Sequence, residues 1–357
     1  MRPQWDDLPS NVRDAVEQRI GQVLKADPVT KGLMPGLAAR LHTEDGGTVF
    51  LKAVSIASPA ASLYARERQA GAVLPLGLPA PHLLWNGEVE GWIVLLHEYV
   101  DGRDADLSPG SPDVPLVLDI LTVLNEALTP CPGRGDVPDV AANVAMLQAK
   151  AARLLALPAE ELPHRAMYET ALGKLSPDAL DGDTLLHYDL HAGNFRIDDG
   201  RAYAIDWAFA VRGAAWVDAV MLAPRFIEAG HTPEQTEALL VRVPAWRSAP
   251  ANAVTALAAL WTLFRLYKAR FGPVEGRDFR ARAAEAGRAW LHHRMGERGP
   301  FQTVITTPAK AIPTWPPYSA KPSSARPGPP PASANATGGS PAGSVNAKPS
   351  SRSPAPC

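Results

Sequence analysis

Leu185-Leu186-His187-Tyr188-Asp189-Leu190-His191-Ala192-Gly193-Asn194-Phe195, followed by Ala204-Ile205-Asp206-Trp207, sets two carboxylates and an amide around a short hairpin. Phe195–Ile197 and Tyr203–Ile205 read as two short strands, and Asp198-Asp199-Gly200 between them is a turn signal. Pairing those strands brings Asn194, at the end of the first loop, beside Asp206, at the end of the second strand. An amide oxygen and a carboxylate meeting this way suit a hard cation such as Mg²⁺. Asp189, five residues before Asn194, faces the same place from the loop. A carboxylate beside metal-bound phosphate can accept or orient a hydroxyl proton, a task that needs position and no covalent intermediate.

His187-x-Asp189-x4-Asn194 with a downstream Asp206 has the spacing of the kinase catalytic loop and its metal-binding Asp. With His191 two residues after the first Asp and Trp207 after the second, the stretch resembles the aminoglycoside phosphotransferase family of small-molecule kinases. The resemblance covers about residues 25–270 and is strongest over 185–218. It implies that Asp189 is the catalytic base, that Asn194 and Asp206 bind Mg²⁺, and that His187 supports the loop. Asp218 becomes a structural residue of the helix that follows. The fold implied is α+β and two-lobed, like a protein kinase, with a small β-rich lobe and a larger helical lobe. ATP is the implied phosphoryl donor, and a hydroxyl of a small molecule the acceptor.

The elements that must position these groups begin in the first hundred residues. Asn11–Leu24 has helical apolar spacing. Leu37–Thr43 and Thr48–Val54 are strand-like runs around Glu44-Asp45-Gly46-Gly47, and Ser58-Pro59 opens a helix to about Leu74. His82–Trp85 and Trp92–Tyr99 flank Asn86-Gly87, a second hairpin signal.

Phe50-Leu51-Lys52-Ala53-Val54 buries a lone lysine in an apolar strand, where it either snorkels at an edge or serves a partner. The resemblance implies the second: Lys52 binds phosphate and pairs with a Glu on the next helix, for which Glu67 is the candidate. Leu63, Tyr64, Ala70 and Gly71, which share a helix face with Glu67, offer it no cation, so its partner belongs to another element. Leu95-Leu96-His97-Glu98-Tyr99-Val100 resembles the hinge between kinase lobes, where backbone groups of Glu98 and Val100 would meet the adenine edge. Lys31-Gly32-Leu33-Met34-Pro35-Gly36-Leu37 departs from G-x-G-x-x-G, leaving Gly36 as a candidate contact of a looser phosphate loop.

Past Asp101-Gly102-Arg103 the spacing turns helical, over 114–128, 140–157, 166–172, 216–229, 232–243, 251–271 and 278–295, broken by the non-helical stretch 185–207. Leu257, Leu260, Trp261 and Phe264 form a core stripe. The expected organisation is a nucleotide lobe over 1–99, a helical lobe with the catalytic loop over 100–300, and a disordered tail over 301–357. That tail carries 13 of the chain's 36 prolines, a composition that cannot bury enough apolar surface to offset ordering entropy. The spacing argues against a protein kinase. Only eleven residues separate Asp206 from Asp218, which leaves no activation segment, and Ala223-Pro224-Arg225 lacks the final Glu of the segment's end motif.

Residues 1–300 carry 30 basic and 37 acidic side chains, and the tail carries five basic and none acidic. A body of charge −7 argues against nucleic-acid binding, which rests on Lys and Arg neutralising phosphates, and is compatible with a cationic acceptor. Two cysteines, Cys131 and Cys357, permit neither a disulfide framework nor a zinc site. Met1-Arg2-Pro3-Gln4-Trp5-Asp6-Asp7 has no apolar signal-peptide core, and Val254–Phe264 falls short of the roughly 20 residues that cross a bilayer. The expectation is a cytoplasmic protein with no membrane partner. Other readings are a catalytically silent nucleotide binder of the same fold, or a metabolite kinase acting on choline, a sugar or an amino alcohol.

Overall fold

Apolar residues at every second position from Leu37 to Thr43 dictate a strand with one buried face, and the computed structural model places it in a five-stranded antiparallel sheet. The structure describes residues 3–29, 34–133, 135 and 137–296, all within one compact unit running from Met1 to Ile305. The proline-rich segment 301–357 and Lys31-Gly32-Leu33 lie outside the described residues.

The small lobe runs α1 (Ser10–Ile20), β1 (Val23–Pro28), β2 (Leu37–Thr43), β3 (Thr48–Ser55), α2 (Ala61–Val73), β4 (Leu83–Val89) and β5 (Trp92–Glu98). Strand order is β1-β2-β3-β5-β4. Leu51, Ala53, Val94 and Leu96 pack with Leu8, Val12 and Val16 of the α1 side, whereas Val54, Ile93 and Leu95 pack with Tyr64 of α2. Lys52 lies between Leu51 and Ala53 and pairs with Leu95 across the sheet, so alternation turns it toward α2.

Three local expectations are corrected. The first helix ends at Ile20, because Gly21 takes a backbone outside the helical region, and Val23 and Leu24 belong to β1. Ser58 is not the cap of α2; its hydroxyl accepts from Ala60 N at 3.2 Å in the turn before the helix, whose first residue is Ala61. Asn86-Gly87 is not the hairpin turn. Gly87 pairs with Val94 inside β4, and the chain reverses at Glu90-Gly91, where both residues have positive φ. A side chain at Gly87 would meet the Trp85 indole at 2.7 Å, so this glycine serves packing and not the turn.

The larger lobe runs β6 (Arg103–Asp104), α3 (Asp113–Ala127), α4 (Val140–Leu155), α5 (Arg165–Leu172), β7 (Thr184–Leu186), β8 (Phe195–Asp198), β9 (Arg201–Ala204), β10 (Val211–Gly213), α6 (Val217–Glu228), α7 (Pro233–Leu240), α8 (Pro244–Arg247), α9 (Ala251–Phe271) and α10 (Arg277–Arg294). Sequence reading sees 185–207 as one non-helical stretch. Tertiary pairing adds β6 to the edge of the β8–β9 hairpin and joins β7 to β10. One apolar core spans the helices, and α9 is buried on every side from Ala253 to Leu263, with Leu257, Leu260 and Trp261 inside and Phe264 against it. Pro224 lies within α6, which makes Ala223-Pro224-Arg225 a helical segment.

Gly36 has φ +112°, and a Cβ there would sit 2.4 Å from the Tyr64 hydroxyl and 2.8 Å from Ala53 O. Tyr64 Oη also donates to Pro35 O at 3.2 Å, which ties the loop to α2. Gly36→Ala should therefore destabilise the small lobe by about 1–3 kcal/mol, the usual cost of overpacking, and lower the melting temperature by several degrees. An unchanged melting temperature would show that the loop lifts freely off Tyr64.

Candidate active site

Lys52 joins the two lobes. Its Nζ donates to Glu67 Oε2 at 2.6 Å and to Asp206 Oδ1 at 3.0 Å, linking β3, α2 and the end of the β8–β9 hairpin. The Lys52 and Glu67 side chains are only 8% and 3% exposed. Burial works against the Lys52 ammonium, but Asp206 and Glu67 together hold its pKa above the ordinary lysine value. One ammonium serves two carboxylates, and they respond oppositely. Burial pushes Glu67 up to about 7 against the pull of Lys52, whereas Asp206, despite burial, is held below the usual carboxylate value by Lys52. His97 shares the α2 face of β5, with Nε2 3.8 Å from Glu67 Oε1. Burial and Lys52 lower it to about 3, so it is neutral.

His187 is fully buried and spends both ring nitrogens on backbone. Nε2 bonds Ile205 O at 2.8 Å, and Nδ1 accepts from Asp189 N at 3.4 Å. It therefore pins the loop bearing Asp189 to the strand end bearing Asp206, with Trp207 against its ring at 4.8 Å. Ile205 N bonds Asn194 O at 2.9 Å, which brings Asn194 beside Asp206. Asn194 Nδ2 donates to Asp189 O at 2.8 Å, and this leaves its carbonyl oxygen for a cation. The Asp206 side chain is 36% exposed and has one oxygen on Lys52. Two hard oxygens, one amide and one carboxylate, fit Mg²⁺.

Tyr188 and Asp206 are held in the left-handed region, with φ of 67° and 66°, a conformation that Asp tolerates but that strains the Tyr188 backbone. Asp218, in the first turn of α6, accepts from His187 N at 2.9 Å and from Tyr188 N at 2.7 Å. Its two oxygens fasten the strained peptide, although burial raises its pKa. Asp218→Asn would set an NH2 group against one of two N–H donors. Each buried group left unpaired costs about 1–3 kcal/mol. The variant should melt several degrees lower and lose turnover, checked by thermal denaturation beside an activity assay; wild-type melting would mean the loop holds itself.

Glu98 closes β5, its N–H on His82 O at 2.9 Å and its carboxylate accepting from His82 N at 3.1 Å. Val100 lies two residues on, in the connection to β6.

The chain matches the model of the phosphotransferase enzyme family over residues 37–252, more than half its length. It belongs to this family. A thermostable mutant of aminoglycoside phosphotransferase APH(4)-Ia shares the fold at TM-score 0.55 and 18% identity, covering 79% of this chain and 99% of that one. Choline kinase LicA from Streptococcus pneumoniae does so at TM-score 0.55 and 17% identity, over 79% and 99%. Macrolide 2'-phosphotransferase MphH from Brachybacterium faecium does so at TM-score 0.52 and 16% identity, over 78% and 98%. No curated protein matches the chain. The two-lobed kinase-like fold expected from the catalytic-loop residues is the one observed.

The phosphotransferase has one feature beside Asp189 that sequence reading missed. Arg265 of α9 approaches Asp189 Oδ1 with Nη2 at 3.5 Å. Seventy-six positions separate the two, and the helical pattern around Arg265 reads as core, so no local signal marks it. Among the described residues no helix is long and apolar enough to cross a membrane.

Proposed function

We propose that the protein transfers the γ-phosphoryl group of ATP to a hydroxyl of a small molecule, with Mg²⁺. The observation that carries this reading is Lys52 held between Glu67 and Asp206, with Asp189, on the loop tied to the Asp206 strand end, 28% exposed and open to an acceptor. Residues 1–99 serve as the nucleotide lobe and 100–300 as the acceptor lobe.

Lys52 steadies the phosphates, and Glu67 keeps its ammonium aimed at them. Backbone groups of Glu98 and Val100 bind the adenine edge, and Gly36 lets the loop before β2 come close to the phosphates. Asn194 and Asp206 would hold Mg²⁺, which when bound supplies neutralisation of phosphate charge. Asp189 takes the proton of the acceptor hydroxyl, and His187 positions Asp189 through the loop backbone. A cytoplasmic site of action would supply the ATP and Mg²⁺ that this reading requires.

ADP release from Mg-ATP with a broad panel of small alcohols tests the reading directly. Lys52→Met tests the phosphate contact. ATP affinity should fall roughly tenfold or more, as for a lost charged hydrogen bond, with adenosine binding nearly constant. Equal loss for both ligands would make Lys52 a support of the lobe and not a phosphate ligand. Tight Mg-ATP binding with no acceptor phosphorylated would favour a silent nucleotide binder.

A further inference from the structure

The charge around Asp189 differs from that of the whole body. Arg265 is only 15% exposed and meets Asp189 at the long distance of 3.5 Å. Its Nε is buried with no hydrogen-bond partner among the described residues. A guanidinium has five donors in a planar fork, so Arg265 is mostly unspent. Burial, and then Arg225, lower it to about 10, which still leaves it charged at neutral pH.

Arg225 of α6 lies beside it. Both guanidinium carbons lie over the Trp261 indole, at 5.1 Å for Arg225 and 4.9 Å for Arg265. Arg225 Nη1 donates to Glu228 Oε2 at 2.8 Å, and its Nε also has no partner among the described residues. Lys268 lies one turn beyond Arg265 on α9, and Lys150 of α4 sits over Tyr267 at 5.0 Å; among the described residues neither has a carboxylate in ion-pairing range. Arg153 donates to the Tyr267 hydroxyl at 3.0 Å. Of the charged groups facing Arg265, Asp189 and Glu228 are the acids, and Arg225 and Arg280 add further positive charge. A polycation reaching for Asp189 would meet repulsion from Arg265, whereas an anion would complete its fork.

We propose that the acceptor is an anionic alcohol, a hydroxy acid or a phosphorylated alcohol, whose carboxylate or phosphate is bound by Arg265 while its hydroxyl meets Asp189. The proposal rests on the phosphotransferase reading above and names its substrate class. On binding, the anionic group takes the free donors of Arg265 and draws the guanidinium away from Asp189, which frees that carboxylate to accept the hydroxyl proton.

The test pairs matched acceptors: glycerate and glycerol 3-phosphate against glycerol, gluconate against glucose, with choline and an aminocyclitol antibiotic as cations. ADP release with Mg-ATP is read for the full chain. At least one acid should exceed its neutral partner roughly tenfold or more in kcat/KM, the scale of a charge-assisted hydrogen bond, and the carboxylate and phosphate arms show which anion is preferred. Arg265→Gln should bring the acid-to-neutral ratio near one, mostly through KM, and Arg265→Lys should restore part of it. Calorimetric Mg-ATP affinity should stay within about twofold in both variants, since Arg265 is assigned no nucleotide contact. Preference for choline, the aminocyclitol or a neutral alcohol would overturn the proposal, as would no turnover of any acid by a protein that binds Mg-ATP. Loss of Mg-ATP affinity in Arg265→Gln would overturn it by moving the arginine to the nucleotide phosphates. Absence of Mg-ATP binding in the wild type would instead sink the phosphotransferase reading itself.

Discussion

Asp206→Asn should abolish turnover and weaken Mg²⁺-dependent nucleotide binding together. Asp206 offers the carboxylate oxygen for the cation beside Asn194, and it is one of two anions on Lys52. An amide in its place removes a full negative charge from a site that gathers metal and phosphates, so binding with Mg²⁺ should fall roughly tenfold or more. Binding measured without Mg²⁺ should change far less. The fold should survive, because Lys52 keeps Glu67 at 2.6 Å. Calorimetric titration of ATP with and without Mg²⁺ reads the effect, with thermal denaturation as control. Wild-type Mg-ATP affinity in this variant would show the metal site to be elsewhere.

Asp189→Asn should fail in the opposite way. Asp189 is assigned to the acceptor hydroxyl and, among the described residues, has only Arg265 on its carboxylate, so nucleotide binding should stay close to wild type. Phosphoryl transfer should drop roughly 10²-fold or more, the scale for losing a positioned acid–base group. Single-turnover measurement with saturating Mg-ATP separates the chemical step from binding. If this variant turns over at the wild-type rate, Asp189 is not the base and the acceptor binds elsewhere.

How far the sequence reaches can be judged from particular residues. Lys52 stands out because a lone lysine in an apolar strand contradicts its neighbours, and the kinase resemblance, which asks for a glutamate on the next helix, points to Glu67. The hairpin carrying Asn194 toward Asp206 is legible because both strands and their turn lie within twelve residues. Where local signals compete, the reading slips. Asn86-Gly87 is a strong turn dipeptide, yet the pairing of Leu83–Val89 with Trp92–His97 carries it into a strand, since the buried cross-strand contacts outweigh a local turn preference. Tyr188 adopts positive φ with no glycine to announce it, and its N–H is fastened by Asp218, thirty residues on, a partner that no local signal reveals.

The order of chemical groups, their identities and the two-lobed fold were determined by the sequence, because hydrophobic period and motif spacing are local and survive without coordinates. The charge felt at Asp189 was decided only by tertiary structure. A body of −7 suggests a cationic acceptor, yet α6 and α9 fold Arg225 and Arg265 over one indole beside the catalytic loop. Coulomb energy falls with distance and is weakened by solvent, so a sum over three hundred residues says little about the field at one carboxylate. Two buried guanidiniums near it say more, and only the packing of distant helices brings them there.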